Sequence, residues 1–227
     1  MRWLFALAVQ AACGRVAFDE TTPAPPDGAP PSCTFCDGFD GSPVFGQWDS
    51  AVGVTAVSAN EFVSPPQAMV VSADAAPNHE RKLLEGAWRD LDCSFQLNTT
   101  GFQSNVEVVF IAVQFAETTR PNYGVSIHVA PTEMNFFEGY DVSGSPRLVT
   151  GMQIAAAPPP GPWTKVRIAM GLGLGTTAIA SVGAFQTQKA LDQAATVTAV
   201  ELRIGTTNPA SGAAFDVYID DVACQLQ

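Results

Sequence analysis

The chain has 227 residues, of which 47% are hydrophobic and 15% charged, a balance that excludes a disordered or fibrous protein and suits one or two globular domains. Eleven Lys and Arg stand against 22 Asp and Glu, giving a net charge of −11. That sign argues against nucleic acids and anionic membrane surfaces as partners, because both need a cationic footprint, and it suits divalent cations.

Arg2 precedes an apolar run from Trp3 to Val9 that is too short to span a bilayer as a helix and reads as an export signal. Gln10-Ala11-Ala12-Cys13 resembles the bacterial lipobox, although Gln10 stands where that motif prefers Leu. The expectation is a lipoprotein signal peptide over residues 1–12 and lipidation of Cys13. The protein would then be secreted and anchored to the bacterial cell envelope, at the outer membrane, by lipid alone. An ordinary signal peptide cut elsewhere is the alternative. Residues 13–32 carry Pro23, Pro25, Pro26, Pro30 and Pro31 with almost nothing that could build a core, and read as a linker. In polyproline II geometry, at about 3.1 Å per residue, it reaches roughly 60 Å.

Once Cys13 is assigned to lipid, Cys33, Cys36, Cys93 and Cys224 remain. An even number in an exported chain predicts disulfides, with three pairings open and at least one bond tying the first or last strand to the rest of the domain. Cys33 and Cys36 have zinc-ligand spacing, but a second such pair is missing.

From residue 33 to 227 the pattern is that of strands. They are expected at Val52–Val57, Ala68–Ser72, Cys93–Leu97, Val106–Phe115, Gly124–Ala130, Asn135–Tyr140, Arg147–Gln153, Thr164–Met170, Ala178–Val182, Val197–Gly205 and Phe215–Cys224. Recurrence every roughly 8–15 residues between Gly, Pro, Asn and Ser predicts an all-β sandwich. Val166, Ile168 and Met170 alternate onto one face, as do Val200, Leu202 and Ile204. The one helix candidate is Gln188–Ala195, Asn98-Thr99-Thr100 reads as a turn, and the glycines of 171–175 read as a hairpin turn. The opening Cys36–Gly41 and the closing Phe215–Val222 both carry carboxylates on short apolar strands, and are expected to lie side by side.

Several motifs then occur in a telling order. They are Phe39-Asp40-Gly41, Gly46-Gln47-Trp48, Ser64-Pro65-Pro66-Gln67-Ala68, Trp163-Thr164-Lys165-Val166-Arg167-Ile168 and Ile219-Asp220-Asp221-Val222. Residues from about 35 to 227 resemble the concanavalin A-like lectin/glucanase superfamily, in particular its laminin G-like branch. The resemblance implies a jelly-roll of two antiparallel sheets, often a calcium ion near the chain ends, and glycan or protein binding. It also places Trp48 and Trp163 in the core.

Independently, alternation puts Asp221 in phase with Phe215, Val217 and Ile219, while Asp216 and Asp220 point the other way. A core-facing carboxylate needs a cation or backbone donors, so Asp37, Asp40, Asp220 and Asp221 are candidate ligands for a structural Ca²⁺. A bulge that turns Asp221 back to water is the alternative. For glycan or envelope polysaccharide binding, the exposed-ring candidates are Trp88 beside Arg89 and Asp90, Tyr123 beside Asn122, and Tyr140 beside Asp141. Glu133-Met134-Asn135-Phe136-Phe137-Glu138 has the carboxylate spacing of laminarinase-type glycoside hydrolases, with Asn135 in place of their Asp. In an unbulged strand, however, Glu133 and Glu138 would face opposite ways. His79 and His128 have no partner at metal spacing and read as surface or satisfied strand residues. The expectation is a non-catalytic, lectin-like surface lipoprotein. The alternatives are a glycoside hydrolase using Glu133 and Glu138, and a structural envelope protein without a small ligand.

Overall fold

The computed structural model describes residues 33–227, apart from 75, 102–104, 117–122, 143–144, 158, 174, 192–195 and 208–213. Residues 1–32, read above as a signal peptide and a Pro-rich linker with Cys13 between them, lie outside the described residues, as do Asn122 and the side chains of Tyr140 and Asp141.

The described residues form strands β1 (Phe35–Asp37), β2 (Ser50–Val52), β3 (Thr55–Ser58), β4 (Ala68–Ala73), β5 (Asn78–Glu85), β6 (Asp90–Thr99), β7 (Val106–Phe115) and β8 (Tyr123–Val129). They continue with β9 (Glu133–Val142), β10 (Ser145–Ala156), β11 (Thr164–Gly171), β12 (Thr177–Val182), β13 (Phe185–Ala190), β14 (Val197–Thr206) and β15 (Phe215–Leu226). One antiparallel sheet runs β13-β12-β11-β6-β15-β4-β3, with β1 added on β15, and the other runs β10-β9-β8-β7-β14-β5-β2. This is a jelly-roll β-sandwich.

Alternation fixes which side of each strand is inside. Val166, Ile168 and Met170 of β11, Val200, Leu202 and Ile204 of β14 and Val125, Ile127 and Val129 of β8 are all buried in one core between the sheets. The chain ends do lie side by side, with Phe35 opposite Cys224 and Asp37 opposite Val222. Cys93 and Cys224 face each other across β6 and β15, with Cα atoms 4.1 Å apart, and form a disulfide. Cys33 and Cys36 form the second, so the last strand is the one tied to the sandwich.

Four local readings change, the first at Val52–Val57, where the one expected strand is two strands in different sheets, β2 ending at Val52 and β3 beginning at Thr55. Gln188–Ala190, the start of the expected helix, lies in β13 beside β12, and residues 192–195 are outside the described set. Asn98 and Thr99 close β6 rather than making a turn, and the Asn98 side-chain oxygen accepts hydrogen bonds from the amides of Thr99 and Gly161. The unforeseen β5 carries Glu, Arg, Lys and Leu, residues with higher helix than strand preference. Antiparallel pairing with β14 on one side and β2 on the other overrides that preference.

Candidate functional site

The carboxylates at the chain ends are held by donors of the protein itself. Asp37, buried in β1, accepts the Phe39 amide at 2.7 Å and the Trp48 indole N–H at 2.6 Å. Burial pushes its carboxyl up, against the pull of these two bonds. Trp48 stacks on Phe39 and meets Phe35 edge-on in the core, as expected, whereas Trp163 is half-buried and not part of the core. In β15 the pairing with β6 slips between Asp220 and Ala223, and Asp221 adopts a left-handed backbone with φ 49°. Such a bulge breaks the strict period of two. Val222 therefore takes the inward place that alternation gives to Asp221, and Asp220 is the carboxylate with no exposure. Asp220 accepts amides from Val63 and Ser64 at one oxygen and from Asp221 at the other. Burial carries it up to about 6 despite these bonds. Asp221 is half-buried and accepts the Ser64 hydroxyl at 2.7 Å, while Asp40 is exposed and accepts the Gln67 amide. Among the described residues, no group of three or more His, Cys, Asp or Glu is placed to hold a metal ion.

Of the expected aromatic platforms, Tyr123 is excluded by burial, Trp88 is half-buried, and the Tyr140 side chain lies outside the described residues. Tyr123 has no exposure, and its hydroxyl donates to Glu138 at 2.6 Å inside the sandwich. It lies in phase with Val125, Ile127 and Val129, so its ring belongs to the core. Trp88 packs against the core and donates its indole N–H to the Leu84 carbonyl. Glu138 is likewise fully buried, facing inward beside Phe136, and is paired with Lys189 of β13. Glu133 and Asn135 fall on the other face of β9, where the Asn135 amide donates to Glu133 at 2.9 Å. The two glutamates therefore point to opposite faces and do not assemble a glycosidase pair.

Charged, imidazole and aromatic side chains gather instead on the outer face of the β10-to-β2 sheet. Successive registers place Ser50 opposite Arg81, Arg81 opposite Arg203, Arg203 opposite Phe110, Phe110 opposite Ser126, Ser126 opposite Phe137 and Phe137 opposite Gly151. One transverse row thus crosses all seven strands, roughly 29 Å at about 4.8 Å per strand. Each residue of the row alternates with core residues such as Ile111, Ile127, Phe136 and Leu202, which fixes the side it faces.

At the β5–β14 end, the Arg81 and Arg203 guanidiniums share the Glu201 carboxylate, Arg81 at 2.6 Å. Burial alone would raise Glu201, but the hydrogen bonds and charges of the two arginines hold it below the ordinary carboxylate range. Two cations against one anion leave a local positive excess on a strongly acidic protein. The arginine side chains are 38% and 30% exposed, so part of each reaches solvent. Beneath them, Arg81 Nε and His79 Nδ1 are buried without a hydrogen-bond partner among the described residues. Burial and the nearby charges of Arg203 and Arg81 lower His79 to about 4, so its imidazole is neutral near pH 7.

Farther along, Arg203 sits over the Phe110 ring, 5.1 Å from its centroid. His128 Nε2 lies 2.9 Å from Glu107 and 3.1 Å from the Ser126 hydroxyl, and Thr207 donates to the same glutamate. Both His128 contacts use one nitrogen, so this cluster is not a relay from acid through imidazole to hydroxyl. The His128 ring packs 4.4 Å from that of Phe137. His128 is therefore a satisfied strand residue, as expected, whereas His79 is neither on the surface nor satisfied, and both belong to this face. Two grooves elsewhere, of about 340 and 290 Å³, lie on the opposite sheet around Asp92 and Gln225, and around Asn98 and Tyr218.

No protein-family model and no curated protein sequence matches this chain. Solved structures do match. A cellulose-induced protein has a TM-score of 0.52 and 13% identity, over 84% of this chain and 96% of that one. A Bacillus licheniformis β-glucanase has a TM-score of 0.52 and 9% identity, over 87% and 100%. An alginate lyase of polysaccharide lyase family 7 has a TM-score of 0.52 and 11% identity, over 76% and 85%. At these identities the likeness is one of fold, a jelly-roll β-sandwich of two antiparallel sheets.

Proposed function

We propose that the protein is a polysaccharide-binding jelly-roll that takes an acidic glycan across the outer face of the sheet running from β10 to β2. The observation that carries this reading is the transverse row, in which the Arg81–Glu201–Arg203 cluster and two aromatic rings lie on one line. A guanidinium on a partly exposed side chain offers paired N–H donors to a carboxylate or sulfate. Rings beside hydrogen-bonding side chains suit the apolar faces of sugars. The neighbouring folds described as a β-glucanase and a polysaccharide lyase support a polysaccharide as the ligand. The lipobox-like leader and Pro-rich linker extend the reading to an exported lipoprotein that presents this face from the bacterial envelope.

The test is affinity electrophoresis through a polyuronate gel and a neutral β-glucan gel. The protein is expected to be retarded by the polyuronate, and Arg203→Gln or Arg81→Gln to abolish the retardation. Equal retardation in both gels, or indifference to the arginines, overturns the reading.

A further inference from the structure

Resting on the acidic-glycan reading, we propose that the same face has a second subsite, built on Phe137 at the β9–β10 edge, which stacks against a sugar unit several positions along the chain held at Arg81 and Arg203. Phe137 is half-buried, and its ring lies on Gly151 of the edge strand: a Cβ at Gly151 would stand 2.3 Å from Phe137 Cε1. Phe110 is seated in the same way on Gly124, where a Cβ would stand 2.5 Å from its Cζ. Both glycines thus let a ring lie down on the neighbouring strand, a recurrent use of glycine inside strands.

The two rings differ in what covers them. Phe110 carries the Arg203 guanidinium and is the inner wall of the charged subsite. Phe137 is bordered by His128 on one side, with Asn135, whose amide donates to Glu133, two residues before it on the same face and Gln153 opposite Asn135 on β10. Phe137 lies three strands from Arg203 in the row, about 14 Å away. That separation exceeds a single sugar, so one ligand engages both places only as an oligomer laid across the strands. The Phe137 end carries no Lys or Arg among the described residues of the row, so its sugar is read by its face rather than by its charge.

The experiment measures the affinity of the whole protein for a polyuronate dimer and a polyuronate hexamer by calorimetry. Phe137→Ala is expected to weaken the hexamer about tenfold and leave the dimer unchanged, with Phe137→Trp retaining hexamer affinity. Gly151→Val, which displaces the ring and keeps it in the chain, is expected to behave like Phe137→Ala. Thermal melting of each variant shows whether it is folded, and an unfolded Gly151→Val leaves the two Phe137 variants to decide. Equal weakening of dimer and hexamer, or no weakening of either, overturns the second subsite while Arg203→Gln still abolishes binding. Failure of Arg203→Gln to weaken either oligomer, or no binding by the unmutated protein, overturns the acidic-glycan reading itself.

Discussion

Asp220 and His79 are two buried groups whose titrations oppose each other, and their separation is a strict test of the packing described above. Asp220 rises from 3.8 to about 6, so the folded state binds its proton more tightly than the unfolded state. Its contribution is fully present below about pH 4 and is lost as pH rises through about 6. His79 falls from 6.5 to about 4, so its contribution is present above about pH 6.5 and is lost as pH falls through about 4. At about 1.4 kcal/mol per pH unit, each amounts to about 3 kcal/mol, and in the unmutated protein the two largely cancel between about pH 4 and 6.5. Substitution removes the cancellation. Asp220→Asn is expected to cost about 3 kcal/mol more at about pH 4 than at about pH 7.5, and His79→Gln to show the reverse. Urea unfolding at the two pH values, with linear extrapolation, measures both. Costs that do not change with pH, or that change in the same direction for both variants, would refute the burial and hydrogen bonding assigned to these side chains.

The Cys93–Cys224 bond closes a separation of 131 residues, so replacing both cysteines by Ala is expected to lower stability by about 3–5 kcal/mol, read as a drop in the urea midpoint. Glu138→Gln removes the charge of a fully buried carboxylate paired with the half-buried Lys189 and is expected to cost about 3 kcal/mol, whereas Glu133→Gln changes stability by less than about 0.5 kcal/mol. Neither change abolishes polyuronate binding, and loss of binding in a folded Glu138→Gln protein would return that residue to the site. Because Asp37, Asp220 and Asp221 take their donors from amides, an indole and a hydroxyl, added calcium or chelator is expected to leave the melting temperature unchanged. A calcium-dependent rise in that temperature would count against this arrangement.

Much of the architecture was local enough to read from the chain. Alternation in Val166-Arg167-Ile168 and in Val200-Glu201-Leu202-Arg203-Ile204 is a property of neighbours in sequence, and it announced both strands and their inner faces. The same period separates Glu133 from Glu138, so their opposite facing was legible too. Gly124 and Gly151, inside strand patterns, were a readable signal of a close approach, although not of what approaches.

The strand Asn78–Glu85 was hidden because its own composition favours a helix, and only pairing with β14 and β2 makes it a strand. Asp221 departs from alternation at a bulge that nothing in its immediate neighbours announces. The site was hidden for a deeper reason. Ser50, Arg81, Phe110, Ser126, Phe137, Gly151 and Arg203 come from seven separate strands, and the row exists only through the registers that join them. Side-chain facing follows from a period of two along one strand, so the sequence determines it alone. Register couples residues more than a hundred positions apart through turns, bulges and core packing, and only the tertiary structure brings Arg81 to Arg203.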